Sequence, residues 1–258
     1  MKASYSKTYL YARSIFNIIF TFLFLFISAI LITFLLVISL GRLQNPIIQY
    51  YGIFLGRTIL RIAGIKLEIH HVGEKIDRPA IYISNHSSTI DLFIIIGLGL
   101  PRVRFVAKYE LLYNPLFFIL GRLTGQIFIK RQQTEHAVQI LRKAYERIKR
   151  EKLSLYIAPE GTRKHPGKIG PFKKGAFRMA IDLGYPIVPI YFEGARELCP
   201  VDSFIVRPGV VKVWFYPPID TSDWSLETID QHIEDVRRMY LQWAGVKEDT
   251  ALSPATGR

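Results

Sequence analysis

Apolar residues fall along this chain in three distinct patterns. From Ile15 to Leu40 they are nearly continuous, broken only by Asn17, Thr21, Ser28, Thr33 and Ser39, with no charged residue between Arg13 and Arg42. From Ile47 to Ile62 they recur at helical spacing: Ile48, Tyr51, Leu55, Ile59 and Ile62 lie mostly opposite Arg57 and Arg61. Beyond Lys66, short apolar runs alternate with amphipathic stretches. The runs at Lys66–His71, Ala80–Ser84, Gln126–Lys130, Leu153–Ala158, Ile187–Phe192 and Val210–Tyr216 predict strands, and Val103–Ala107 is another short apolar run. The stretch opening at Leu92, together with Gln133–Arg150, Gly175–Leu183 and Leu226–Ala244, predicts helices, and Asn114-Pro115 opens an apolar segment, Leu116–Leu123, which Gly125 closes. Strands separated by helices predict an α/β fold with a largely parallel, mixed sheet flanked by helices, preceded by an N-terminal membrane-embedded helical segment.

The boundaries follow: 1–64 a membrane helix or helical hairpin, 65–246 the catalytic domain, 247–258 a polar, disordered tail. At about 1.5 Å per residue the first run can cross a hydrocarbon core of roughly 30 Å. It is too long for a signal peptide, whose apolar region is about 7–15 residues. Positive charges flank it on both sides and no acidic residue occurs before Glu68, so charge asymmetry assigns no orientation. Two arrangements fit: a single spanning anchor followed by an ordinary amphipathic helix, or a hairpin broken at Gly41–Pro46 whose second helix lies in the interface.

Composition narrows the chemistry. Among 258 residues, 34 Lys and Arg against 21 Asp and Glu give a net charge of +13, suited to anionic lipid, nucleic acid or phosphorylated substrates. The basic residues form no nucleic-acid reading module, and an apolar N-terminus has no role in one. A single cysteine, Cys199, excludes an internal disulfide framework and a cysteine-based zinc site.

Two loops carry candidate chemistry. In Asn85-His86-Ser87-Ser88-Thr89-Ile90-Asp91, a strand end delivers a histidine and a carboxylate follows five residues later. The carboxylate can fold back on the imidazole and hold it as a general base; it can equally cap the next helix, with His86 satisfied by backbone. Two such ligands without further clustering make a poor metal site, and none is expected. No Gly-x-Ser-x-Gly elbow accompanies them, so a base here would act on a hydroxyl of the substrate. The second loop, Ala158-Pro159-Glu160-Gly161-Thr162-Arg163-Lys164, continues through Lys168, Lys173 and Lys174. Gly161 permits close backbone approach, Thr162 can donate a hydrogen bond, and Arg163 suits bidentate contact with phosphate. Glu160 can accept from a ligand hydroxyl or orient Arg163. Lys108, Lys130 and Arg131, near other strand ends, can converge on the same ligand.

The His86–Asp91 block, Gly125–Arg131, Pro159–Arg163 and Ile187–Ile190, in this order and spacing, resemble the glycerolipid acyltransferase family over about residues 70–220. Within it, the 1-acylglycerol-3-phosphate acyltransferases are most alike. The family commonly has Phe before the Pro and Ser after the Arg of the third block, where this chain has Ala158 and Lys164, and an acidic residue where Lys130 stands. The resemblance implies that His86 is the base and Asp91 its partner. It implies that Arg131, Glu160, Gly161, Thr162 and Arg163 bind a phosphorylated acceptor, lysophosphatidic acid. The acyl donor would be acyl-CoA or acyl-carrier protein, with no separate cofactor and no nucleic-acid partner. Anionic cytosolic donors would place the domain on the cytoplasmic face of the cytoplasmic membrane, among membrane lipids, which favours the hairpin. The alternatives are another lysophospholipid or glycerol-phosphate acceptor, and a non-catalytic membrane-binding module.

Overall fold

The computed structural model describes residues 6–129, 135–163, 169–201 and 203–246. The expected tail, 247–258, lies outside them. The first apolar run forms one long helix, α1 (Lys7–Ile38). The break falls where Gly41 adopts φ +78°, a left-handed backbone that glycine tolerates best. A single turn, α2 (Gln44–Pro46), and a wide π turn (Ile47–Tyr51) lead into α3 (Gly52–Ile62). The chain doubles back: the Tyr51 hydroxyl donates to Ser28 Oγ at 2.8 Å, and the Phe24 and Phe54 rings lie 6.0 Å apart.

α1 inverts the usual burial pattern. It turns Ser14, Asn17, Ser28 and a few small or aliphatic residues inward, while Phe22, Phe26, Ile30 and Phe34 are about 60% exposed. A helix lying on a domain exposes such a face only where its other neighbour is apolar.

A seven-stranded sheet follows, built from β1 (Ile65–His71), β2 (Ile81–Ser84), β3 (Val103–Lys108), β4 (Ile127–Ile129), β5 (Ser154–Ile157), β6 (Ile187–Glu193) and β7 (Gly209–Phe215). Its order is β1-β7-β6-β2-β5-β3-β4. The run from β6 to β4 is parallel, and β7 and β1 run the other way. The connections are α4 (Asp91–Leu98), a 3-10 turn (Tyr109–Tyr113), α5 (Pro115–Leu123), α6 (Glu135–Arg150), α7 (Lys174–Leu183) and α8 (Ala195–Leu198), with α9 (Ile229–Trp243) last. The short helix α8 and the 3-10 turn have no counterpart in the sequence expectations.

Alternation along β2 places its side chains in two cores. Ile81 and Ile83 face α7 and α9, while Ala80 and Tyr82 face α3 and α4. Gly56 of α3 lies so close to α4 that a Cβ there would fall 2.5 Å from the Gly97 nitrogen. Arg57 Nε donates to the Gly97 carbonyl at 3.0 Å, satisfying one free acceptor at the end of α4. The hairpin thus packs directly on the helix that begins with Asp91.

A buried polar joint fixes the bend of the hairpin to the sheet. Arg104, fully buried in β3, donates to Asn45 Oδ1 at 2.6 Å and to Gln44 Oε1 at 3.2 Å. Burial and the nearby Arg147 charge pull its guanidinium down to about 10, so it stays protonated at neutral pH. Gln44 also donates to the Leu123 carbonyl at 2.7 Å. At the other end of α1, the Val206 N–H donates to Ser14 Oγ at 3.1 Å. The start of α1 and the α2 turn beyond its end are therefore tied to the same domain.

Candidate active site

The site lies at the carboxyl ends of the parallel strands, where α/β sheets leave loops free for chemistry. Strand β2 ends at Ser84, and Asn85 extends its pairing with β6. The Asn85 carboxamide donates to the Phe192 carbonyl at 3.0 Å and accepts from the Phe192 N–H at 2.8 Å, imitating a peptide group. Below it, the Ser84 and Tyr156 hydroxyls share a hydrogen bond of 2.7 Å. The Tyr240 hydroxyl reaches the carbonyls of Ile83 and Ile190 at 2.9 and 3.1 Å. Burial pushes both tyrosines well above their ordinary range, so they remain neutral donors.

His86 is the next residue. Its Nδ1 lies 3.1 Å from Asp91 Oδ2, and that oxygen also accepts the N–H groups of Ser87 and Ser88 at 2.8 and 2.9 Å. Asp91 is 1% exposed and the imidazole 28%. Of the two arrangements open in the sequence, the carboxylate takes the first. It is the first residue of α4 but reaches back to the histidine loop, and no side chain caps the helix. Its charge still sits favourably at the positive end of α4. An anionic Asp91 requires the proton on Nδ1, which leaves the Nε2 lone pair available. The loop is closed from the far side by Ser88, whose hydroxyl donates to the Cys199 carbonyl at 2.6 Å.

Glu160, expected against a ligand, is engaged differently. Its Oε1 accepts from the His86 N–H at 2.8 Å and its Oε2 from the Gly170 N–H at 2.7 Å, and the residue is 2% exposed. Both oxygens face the protein, so Glu160 joins the two loops. Burial raises its carboxyl above the usual carboxylate range, and the two amides oppose that shift. After it the chain turns outward: Gly161 takes φ +64°, Thr162 is half-buried and Arg163 exposed. The Arg163 charge reaches Cys199, whose thiol burial holds above its ordinary range. The loop base is closed by the Lys173 N–H on the Pro159 carbonyl at 2.9 Å.

Lys108 is exposed at the end of β3, level with Ile129 of β4 and two strands from His86. Lys130 and Arg131, which follow β4, lie outside the described residues, as do Lys164 and Lys168. The structure therefore brings His86, Asp91 and Glu160 into direct contact and sets Arg163 and Lys108 at the same end of the sheet. Asn85, Tyr156 and Tyr240, which no local pattern marks as functional, hold the strand ends beneath His86. Only the position of Asn85 beside the histidine signalled its part.

A family model described as Acyltransferase matches residues 66–193, which hold every candidate residue named above. The chain is 36% identical over 192 residues to the 1-acyl-sn-glycerol-3-phosphate acyltransferase of Limnanthes alba, covering 74% of this chain and 68% of that protein. It is 30% identical over 216 residues to the Haemophilus influenzae protein of the same name, covering 79% and 87%. The crystal structure of the 1-acyl-sn-glycerophosphate (LPA) acyltransferase from Thermotoga maritima superposes with a TM-score of 0.67 at 26% identity, over 91% of this chain and 98% of that one.

Proposed function

The chain belongs to the acyltransferase family that includes the 1-acyl-sn-glycerol-3-phosphate acyltransferases, and on that premise we propose that it moves a fatty acyl group from a thioester to the free hydroxyl of lysophosphatidic acid, forming phosphatidic acid for phospholipid biosynthesis. The observation that carries this reading is the His86–Asp91 pair, with a buried carboxylate anchored on two backbone amides and a part-exposed imidazole.

His86 Nε2 takes the proton of the acceptor hydroxyl as its oxygen attacks the thioester carbonyl carbon. The tetrahedral intermediate collapses with cleavage of the C–S bond. The imidazolium returns the proton to the departing thiolate, so ester and thiol are the products. Asp91 holds Nδ1–H and stabilises the transient positive charge. Arg163, with Lys108 and Arg131, holds the acceptor phosphate, so the hydroxyl is positioned before reaction. Glu160 acts on both halves by fixing the His86 backbone and the base of the Arg163 loop. The donor is acyl-CoA or acyl-carrier protein, and no further cofactor enters.

The hairpin lies along the cytoplasmic face of the membrane and does not cross it. A helix spanning roughly 30 Å of hydrocarbon would deliver its ends to opposite faces, whereas the first turns of α1 bond to one domain through Ser14 and its last turns pack on the same domain through Ile32 and Leu36. The outward apolar face of α1 then enters the lipid.

The test is acyl transfer by the purified protein in detergent, with lysophosphatidic acid and a panel of acyl thioesters. His86→Ala should abolish transfer while leaving membrane association unchanged. Full activity in that variant would overturn the base assignment. A wild-type chain that binds membranes without transferring acyl groups would leave a membrane-binding module.

A further inference from the structure

Between β3 and β4 the chain crosses over through the 3-10 turn and α5. One side of this segment is committed to the protein: Leu120 and Leu123 pack on Ile32, Leu36 and Ile47 of the hairpin, and Leu112 is buried. The other side is apolar and exposed among the described residues. Tyr113 is 78% exposed, Phe118 49%, Ile119 43%, and Leu111 and Phe117 nearly 40%. Soluble surfaces tolerate single exposed apolar residues, but five in one crossover mark a contact face.

The surroundings of this face indicate what covers it. Through Leu120 and Leu123 the segment packs on the inward side of α1, the helix whose other side is apolar and exposed. Within 108–129 Glu110 is the only acidic residue, while Lys108 and Arg122 are exposed. The Arg122 guanidinium lies 5.7 Å from the centre of the Phe118 ring, an aromatic-plus-cation pairing suited to the boundary between acyl chains and phosphates.

We propose that the 3-10 turn and α5 form a second membrane-inserting element, which seats Tyr113, Phe117, Phe118 and Ile119 in an anionic phospholipid surface. This inference rests on the reading that α1 lies along a bilayer, and is independent of acyl transfer. With α5 in the interface, the end of β3 at Lys108 lies at the lipid boundary, at the same end of the sheet as His86 and two strands from it.

Two measurements test it. Phe118→Trp adds one fluorophore to a protein whose own tryptophans, Trp214, Trp224 and Trp243, lie on β7 and around α9. Bound to phosphatidylglycerol-containing vesicles with brominated acyl chains, the added emission should shift to the blue and be quenched. The double variant Phe117→Ser, Phe118→Ser should bind those vesicles about tenfold more weakly, since two partly inserted rings are lost. Its acyl transfer in detergent should equal that of the wild type. Unquenched emission in vesicle-bound protein, or unchanged vesicle affinity of the double variant, overturns the assignment of α5. Emission that is blue-shifted without vesicles, together with a dimer in detergent, also overturns it and makes the face a protein interface. Wild-type protein that stays in the supernatant overturns the reading of α1 itself, and α5 falls with it.

Discussion

The two loops that meet at His86 leave neighbouring strands of one sheet and are built on opposite plans. After β2, Asn85 completes the pairing with β6, Ser88 bonds to the Cys199 carbonyl, and Asp91 gathers two amides and the imidazole. That loop is closed on itself and offers one part-exposed ring. After β5, the chain turns one carboxylate inward and then, through the left-handed Gly161, sends Thr162 and Arg163 outward. Proton transfer needs atoms held within a few tenths of an ångström, so its loop is cross-braced. Holding a phosphate needs charge and reach, so its loop presents side chains to solvent. Among the described residues, Glu160 is a buried contact that makes the second loop register with the first.

The sharpest way to break this contrast is Asp91→Asn. The carboxamide would still occupy the space, but its NH₂ group would favour a proton on Nε2 and remove the base. The expected loss in kcat is about 10²–10⁴-fold, with little change in acceptor KM. Since Asp91 also receives the Ser87 and Ser88 amides, the variant should melt lower as well. A kcat near the wild-type value would mean that the pair is only structural.

Arg163→Ala addresses the other loop and should do the reverse. An exposed guanidinium contributes little to the fold, so the melting temperature should not move. Loss of a charged hydrogen bond to phosphate should raise acceptor KM about tenfold, with donor KM and kcat nearly unchanged. Equal increases in both KM values would remove Arg163 from the acceptor site.

The difference between the loops also explains what could be read beforehand. The strands and most helices were legible because apolar spacing is a local property. The histidine and its acid were legible because five residues separate them and a strand-to-helix junction brings such residues together. The hairpin break was legible at Gly41–Pro46. Three features were not. Asn85 pairs with Phe192, 107 residues away, and nothing local marks that partner. Arg104 sits in a run that reads as apolar, yet its guanidinium is buried against amides of α2 some 60 residues earlier. The Glu160 motif fixed the order of residues but not the direction of a carboxylate. A glutamate beside an arginine reads as ligand-facing, and only the fold turns it toward His86 and Gly170.

Glu160→Gln gives the smallest expected effect and separates the two roles of that residue. A glutamine keeps one acceptor oxygen but points an NH₂ at the second amide. One buried N–H is left unpaired, a cost of about 1–3 kcal/mol, offset in part because no charge is buried any longer. If Glu160 acts by bracing, kcat should fall several-fold while acceptor KM holds; a rise in KM alone would return Glu160 to the acceptor. The pH dependence supplies a second reading. Burial raises the wild-type carboxyl above its unfolded value, so the folded chain holds that proton more tightly. This contribution to stability is complete below the ordinary carboxylate range and is lost as pH rises through the raised value. Glutamine has no proton to lose. Across that window the melting temperature of the variant should therefore fall less with rising pH than that of the wild type. Parallel curves would mean that the two amides fully offset the burial, and that the joint between the loops carries its charge without penalty.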